Sequence, residues 1–241
     1  MKREKGSALM TVILIVAVTA TIGAAISSFI LMNYRLRAYD NQIRRAEYKA
    51  EEVIDTTHLY LLSKFGATDG ILKNLQEDIE NKAIEDETTV IVEQQDGTYY
   101  EFDGTKAVPK SDIETIKDTR FKEAFSSLDI KSIIEDIIDN DSNSKTKYAE
   151  SVSGVDTTDE ESMYVVVDDN PTITDNRIVQ KVYVYYVIPK NAVIRGNPIA
   201  RFSVEYVITC PDYSMVYPTV TYNITNYIGI TNWTIENNWR L

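Results

Sequence analysis

The sequence predicts an α+β chain made of one long N-terminal helix, a helix-rich acidic middle and a C-terminal antiparallel β-sheet. Three observations carry that expectation. An uncharged run of 26 residues, Ser7 to Met32, passes without a break into apolar residues at helical spacing. The stretch from Gly66 to Lys145 gathers acidic residues around two capping-box spacings. Beyond it the composition turns to Val, Tyr, Ile and Thr in alternating runs, as in strands with one covered face. The totals agree with a globular part, since 241 residues with 44% apolar and 10% aromatic side chains can bury a core.

The apolar run comes first. As a helix it reaches about 39 Å, more than the roughly 30 Å of a bilayer's hydrocarbon core. A secretory signal that is removed has an apolar stretch of only about 7 to 15 residues, so this run reads as a retained membrane span. Lys2, Arg3 and Lys5 precede it and Arg35, Arg37, Arg44 and Arg45 follow it, so charge alone leaves its orientation tied. Next, Ile43, Ala46, Ala50, Val53, Ile54, Thr57, Leu61 and Phe65 recur at three- and four-residue steps, with charged residues on the other faces. No Pro occurs before Lys64, so a single helix from about Ala8 to about Phe65 is expected, half in lipid and half in water.

Gly66 to Gly70 ends that helix, and apolar spacing predicts a second one over Ile71 to Glu87. Thr88 to Val92 and Thr98 to Phe102 flank Asp96-Gly97, a hairpin signal. Ser111-x-x-Glu114 and Ser132-x-x-Glu135 open two further helices as capping boxes. After the polar stretch Asn140 to Ser144, five strands are expected: Met163 to Val167, Arg177 to Ile188, Ile199 to Thr209, Met215 to Asn223 and Tyr227 to Ile235. In the second of these, Val179, Lys181, Tyr183, Tyr185 and Val187 share one face. An apolar stripe of Ala46, Ala50, Ile54 and Leu61 on the first helix is available for the sheet to cover.

Charge and composition narrow the function classes. Residues 1–50 carry 8 basic and 3 acidic groups, residues 51–141 carry 9 and 23, and the whole chain has a formal net charge of −12. That balance argues against a nucleic-acid partner, which needs a basic stripe to neutralise phosphates. A single Cys, Cys210, excludes an intramolecular disulfide framework, and a single His, His58, makes most His-dependent mechanisms improbable. His58 and Cys210 as a nucleophilic pair lack a third, orienting group, and Cys210 reads instead as a small packed hydrophobe. Asp139-x-Asp141-x-Asn143 with Glu150 has calcium-loop spacing, but Ser144 stands where the turn wants Gly, and Lys145 and Lys147 lie beside it. A solvated acidic loop is the expectation there. Asn223-Ile-Thr225 and Asn232-Trp-Thr234 match the glycosylation pattern by chance, and Trp233 and Trp239 read as aromatics packed on a final strand. No catalytic residue, cofactor or metal is expected.

The junction Lys5-Gly6-Ser7 resembles the class III leader of type IV prepilins, a short basic segment ending in Gly against the apolar run. The segments KGSALMTVILIVAVTATIGAAI and AEYKAEEVID are together similar to the N-terminal region of PilX-type minor pilins of the type IV pilus assembly family, over roughly the first 55 residues. Ala50-Glu51 stands at the family's Ala-Glu position, while Glu52-Val53 replaces a frequent Ala-Gly or Ser-Gly pair. The resemblance implies cleavage between Gly6 and Ser7 by a prepilin peptidase, an N-terminus facing the cytoplasm, methylation of the new amine and a pilin-like fold. It also implies assembly by packing of the N-terminal helix, with other pilin subunits, the pilus assembly machinery and the membrane as partners. Shaft-forming pilins resemble one another in a Glu as the fifth residue after the cut; here Thr11 stands there, which implies an initiating or tip-associated subunit. On this reading residues 1–6 are the leader, 7–32 the transmembrane helix, 33–65 its soluble continuation, 66–145 an acidic helical region and 146–241 the β region. The chain is then a cell-membrane protein that becomes extracellular in the assembled filament. The competing expectation is an uncleaved single-pass membrane protein whose outer domain binds a ligand or partner.

Overall fold

The computed structural model describes residues 4–67, 70–81, 84–85, 90–93, 99–101, 110–139, 146–155, 162–174, 176–187, 199–216 and 223–236. The first Pro of the chain is Pro109, and nothing before it breaks a helix. Helix α1 accordingly runs unbroken over Glu4–Gly66, 63 residues and about 95 Å. It stops where Ala67 and Gly70 fold the chain back, Gly70 N–H donating to the Ala67 carbonyl at 2.9 Å. Gly66 is needed for close approach. A Cβ there would lie 2.8 Å from Ile224 Cγ2, so only Gly lets the C-terminal part of the chain close over the helix end.

The acidic middle holds α2 (Ile71–Asn81), a small antiparallel sheet of β1 (Ile84–Glu85), β2 (Val90–Glu93) and β3 (Tyr99–Glu101), then α3 (Lys110–Ser126) and α4 (Ile130–Asp139). Helix α2 is shorter than the expected Ile71 to Glu87, because Ile84 and Glu85 pair with Ile91 and Val90 instead. The expected hairpin forms, with Val92 opposite Tyr100, and its Asp96-Gly97 turn lies outside the described residues. Ser132 does not open α4. Asp129 does: its carboxylate accepts from the Ser132 amide at 3.1 Å and hydroxyl at 2.7 Å, and its carbonyl takes the first helical bond from Ile133.

The C-terminal part forms one sheet of six strands: β4 (Thr146–Tyr148), β5 (Ser162–Val167), β6 (Thr172–Thr174), β7 (Arg177–Val187), β8 (Ile199–Thr209) and β9 (Ile228–Glu236). Their order is β4-β5-β7-β8-β9, with β6 on the edge of β7. The expected antiparallel sheet is corrected to a mixed one, because β4 runs parallel to β5 with Lys147 opposite Tyr164. The expected strand from Met215 to Asn223 is not a strand where it is described: Tyr213–Val216 is one helical turn, α5, and Asn223 caps the 3-10 turn Ile224–Asn226.

Alternation on β7 decides which face meets α1. Ile178, Gln180, Val182, Val184 and Tyr186 are buried on the helix side, and the expected set Val179, Lys181, Tyr183, Tyr185 and Val187 faces the other way. Ala46, Ala50, Ile54, Leu61 and Phe65 of α1 share one apolar cluster with that inner face, with Val204, Tyr206 and Ile208 of β8, and with Phe121, Phe125, Ile134 and Ile138 of the middle helices. Burying Ile54, Leu61 and Phe65 contributes about 1.5 to 3 kcal/mol each. The outer face has a smaller cluster of Ala149, Val155, Tyr164, Val166, Tyr185 and Val187.

Candidate functional site on the N-terminal helix

Helix α1 is two surfaces on one rod. From 9 to 37 every residue is exposed, and its apolar side chains, Leu9, Ile13, Val16, Phe29 and Leu31 among them, take no part in the core clusters of the described residues. An exposed apolar stretch of that size far exceeds what a water-soluble protein carries, so it is a contact surface for lipid or for protein. Three of its hydroxyls are spent within the helix: Thr19 donates to the Ile15 carbonyl at 2.9 Å, Thr21 to Ala17 at 2.6 Å and Ser28 to Ala24 at 2.9 Å. No bond to water is then needed from these hydroxyls in hydrocarbon. Among the described residues this is the one helix long and apolar enough to cross a membrane.

The residues singled out in the sequence distribute along this rod. Gly6 and Ser7 lie in the first turns of α1, and Thr11 is exposed two residues into the bare stretch. Ala50 is fully buried, as is Ala46 one turn earlier, and both belong to the core cluster shared with the inner face of the sheet. Glu51 points to the outside. The pair is therefore divided: Ala50 serves the fold of its own chain, and Glu51 is the member a neighbour can touch.

Three contacts that the sequence did not reveal hold the parts together, two of them between the rod and the sheet and one among the shorter helices. The Tyr206 hydroxyl of β8 donates to the Ile54 carbonyl of α1 at 2.9 Å. Burial pushes its pKa well above the usual phenol value, against a smaller lowering from the Thr57 hydroxyl, so it stays a donor at any physiological pH. His58 places Nε2 3.2 Å from the Ile228 carbonyl of β9, a bond its Nε2–H tautomer donates. Farther out, Glu80 of α2 receives Lys117 of α3 at 2.8 Å on one carboxylate oxygen and the Tyr213 hydroxyl of α5 on the other. The pair is largely desolvated, Lys117 and Glu80 side chains being 10% and 21% exposed. Period-two and period-3.6 patterns report which residues are covered and say nothing of which carbonyl a hydroxyl finds, so these contacts had no sequence signal.

Other candidates resolve differently. Cys210 is buried in the main core, and burial pushes its thiol up to about 12, which leaves no thiolate for nucleophilic work at neutral pH. No hydrogen bond joins it to His58 among the described residues. The segment 140–145 of the calcium-like spacing lies outside the described residues, and no cluster of metal-ligating side chains occurs among those described. Asn223 accepts from the Thr225 amide and hydroxyl at 3.2 and 2.8 Å, so the first Asn-x-Thr pattern is a turn cap. Asn232 takes a left-handed φ of 53° in a β-bulge and donates to Glu205 at 2.5 Å. Trp233 stacks on Phe202 with ring centres 5.9 Å apart; Trp239 lies outside the described residues. The chain matches no family model, no curated protein and no solved structure.

Proposed function

We propose that the chain is a minor pilin or pilin-like subunit of a type IV pilus or related filament, cut between Gly6 and Ser7 and assembled by packing of α1. The observation that supports this best is the division of α1: one unbroken helix is bare and apolar over its first half and a core layer of the globular part over its second. A subunit stored in a membrane and later drawn into a filament uses that design, since the same apolar surface lies first in lipid and then against neighbouring helices. A plain membrane anchor requires no rigid continuity between span and core. The N-terminus faces the cytoplasm, where a prepilin peptidase meets Lys5-Gly6-Ser7, and the sheet lies outside.

Thr11 sharpens the reading. A charged terminal amine buried in an apolar filament core costs several kcal/mol without an anionic partner. A shaft made wholly of this chain leaves that amine facing Thr11 in every subunit, whereas a subunit that starts assembly or sits at the tip has no neighbour ahead whose amine it must meet. The reading is therefore a low-copy initiating or tip-associated subunit. Sheared filaments labelled with gold-conjugated antibody test it: label at one end, with fewer filaments of normal length when the chain is deleted, supports the assignment. Regular label along the shaft contradicts the tip position, and a chain found only in membranes and never in filaments favours the uncleaved anchor.

A further inference from the structure

Three contacts give the sheet a direction along α1. Tyr206 of β8 meets the helix at Ile54, and Ile228, which pairs with Ile208 of β8, meets it at His58; Ile224 lies against Gly66, farther on. Two residues of strand, about 6.6 Å, thus cover four residues of helix, about 6 Å, so β8 runs alongside α1 in the same direction. The start of β8 is its membrane end. Ile199 stands seven residues before Tyr206, about 23 Å, and so level with Ala38 or Tyr39 of α1. Those are the first half-buried residues after the bare stretch, in agreement with that level. Ala38 lies six residues beyond Met32, about 9 Å, and headgroups occupy about 5 to 8 Å of that distance. The sheet ends almost on the headgroups.

Near that end the outer face carries cations on aromatic rings. Lys147, Tyr164, Tyr185 and Arg201 stand in register across β4, β5, β7 and β8, about 7 Å from the end row of Val187 and Ile199. Lys147 Nζ lies 5.6 Å from the centre of the Tyr164 ring, and the Arg201 guanidinium 4.1 Å from that of Tyr183 and 5.9 Å from that of Tyr185. Tyr164 and Tyr185 are buried and Lys147 is exposed. Beside them, residues 33–50 of α1 carry five basic and two acidic groups. Acid gathers elsewhere, apart from Glu236, which stands opposite Arg201. Helix α4 packs against β4 from the inner side and ends at Asp139, and α2 and α3 meet Tyr213 beyond the far end of β8.

We propose that this end of the outer face docks on anionic headgroups of the membrane that holds α1, Lys147 and Arg201 meeting lipid phosphate from the sheet and Arg35 and Arg37 from the helix. Arg35 and Arg37, three and five residues past Met32, lie about 4.5 and 7.5 Å beyond the hydrocarbon, at headgroup depth. Lys147 and Arg201 stand higher. A lean of α1 by about 20 to 40°, within the range spanning helices take, lowers the side that carries the sheet onto the surface. Charge selects that side: a lean the other way brings Asp136 and Asp139 of α4 toward the lipid, which repels them, whereas the outer face brings cations. The tyrosines suit the same place, since their rings are apolar and their hydroxyls polar. The contact needs only that 7–32 spans a membrane with the sheet outside, so it serves the cut subunit and the uncut anchor alike.

The test is fluorescence quenching on the full chain in vesicles of phosphatidylcholine with about one third phosphatidylglycerol and a lipid spin-labelled at its headgroup. A fluorophore sits at Lys147→Cys or, at the far end of the sheet, at the exposed Thr174→Cys; wild type, whose Cys210 is buried, is the blank. The expected quenching at 147 is about three-fold that at 174 or more, and it falls about two-fold in vesicles of phosphatidylcholine alone or in raised salt. Arg201→Gln, which keeps the side-chain stem and removes the charge, lowers it in the same sense. Equal quenching at the two sites, or quenching at 147 indifferent to lipid charge and to salt, overturns the docking. Because the measurement does not depend on where the leader is cut, the docking and the subunit reading fail separately.

Discussion

Tyr206 joins the sheet to the long helix through one hydroxyl, and Asp129 starts α4 through one carboxylate. Tyr206→Phe keeps the ring and removes the bond to the Ile54 carbonyl, which retains its own helical donor, so the expected loss is about 0.5 to 1.5 kcal/mol in denaturant unfolding. A loss near zero means that the bond does not hold the rod. Asp129→Ala removes the cap and costs about 1 kcal/mol. The Ser132 hydroxyl, followed by its amide, holds the Asp129 carboxyl below the ordinary carboxylate value. The ionised cap thus stabilises the fold above the unfolded value of about 4 and loses that contribution as pH falls through the lower folded value. Asp129→Ala should therefore flatten the fall in stability below about pH 4, and an unchanged acid slope contradicts the assignment. The pattern Ser132-x-x-Glu135 misled because Ser and Asp are both competent caps. Which one serves depends on where Leu128 and Asp129 turn the chain, and a spacing rule does not encode that turn.

At the scale of elements, the core layer of α1 sets the tolerance of the fold. Ala46 and Ala50 are fully buried in the core that α1 shares with the sheet, so Ala50→Leu overpacks it at a cost of about 1 to 3 kcal/mol, read as a lower melting temperature. Wild-type stability in that variant shows that the contact is loose. A fragment of residues 46–241 keeps the layer and melts cooperatively, whereas a fragment of 71–241 loses Ile54, Leu61 and Phe65 and exposes the inner face of β7 and β8. Equal melting of the two fragments shows that the rod is not part of the core. Glu80→Gln removes the charge facing the largely buried Lys117, at about 2 to 3 kcal/mol, discounted for the partial exposure of Glu80. Long elements with strong period were legible in the sequence: α1, β5, β7 and β8 stand within a few residues of expectation. Short ones were not, since β4 gains its parallel place from β5 fourteen or more residues away, and α5 replaces a Val- and Tyr-rich strand pattern because Tyr213 is drawn to Glu80 and Asp118. Of the candidate site, burial of Ala50 and exposure of the apolar run could be read from spacing, whereas the bonds from Tyr206 and His58 could not, being set by strands more than a hundred residues distant.

For the whole molecule, a rod of about 95 Å carries its globular part on its second half only, so the chain has no folded state in which water covers its first half without penalty. Extraction into detergent should leave the full chain dispersed, and dilution below the detergent's micelle threshold should aggregate it while the 46–241 fragment stays monomeric. Gly6→Leu should insert like wild type, since the apolar run is untouched, yet remain at precursor size; a mature-sized band from that variant refutes the assigned cut. The central claim is that the leader is removed and the long helix is kept. Intact-mass and N-terminal peptide mass spectrometry of the protein from its native membranes and filaments tests it most directly. The account predicts a chain that begins at Ser7, with or without one methyl group on its amine, and retains every residue from Ser7 to Met32. A chain that still begins at Met1, or one that begins beyond the apolar run, contradicts it.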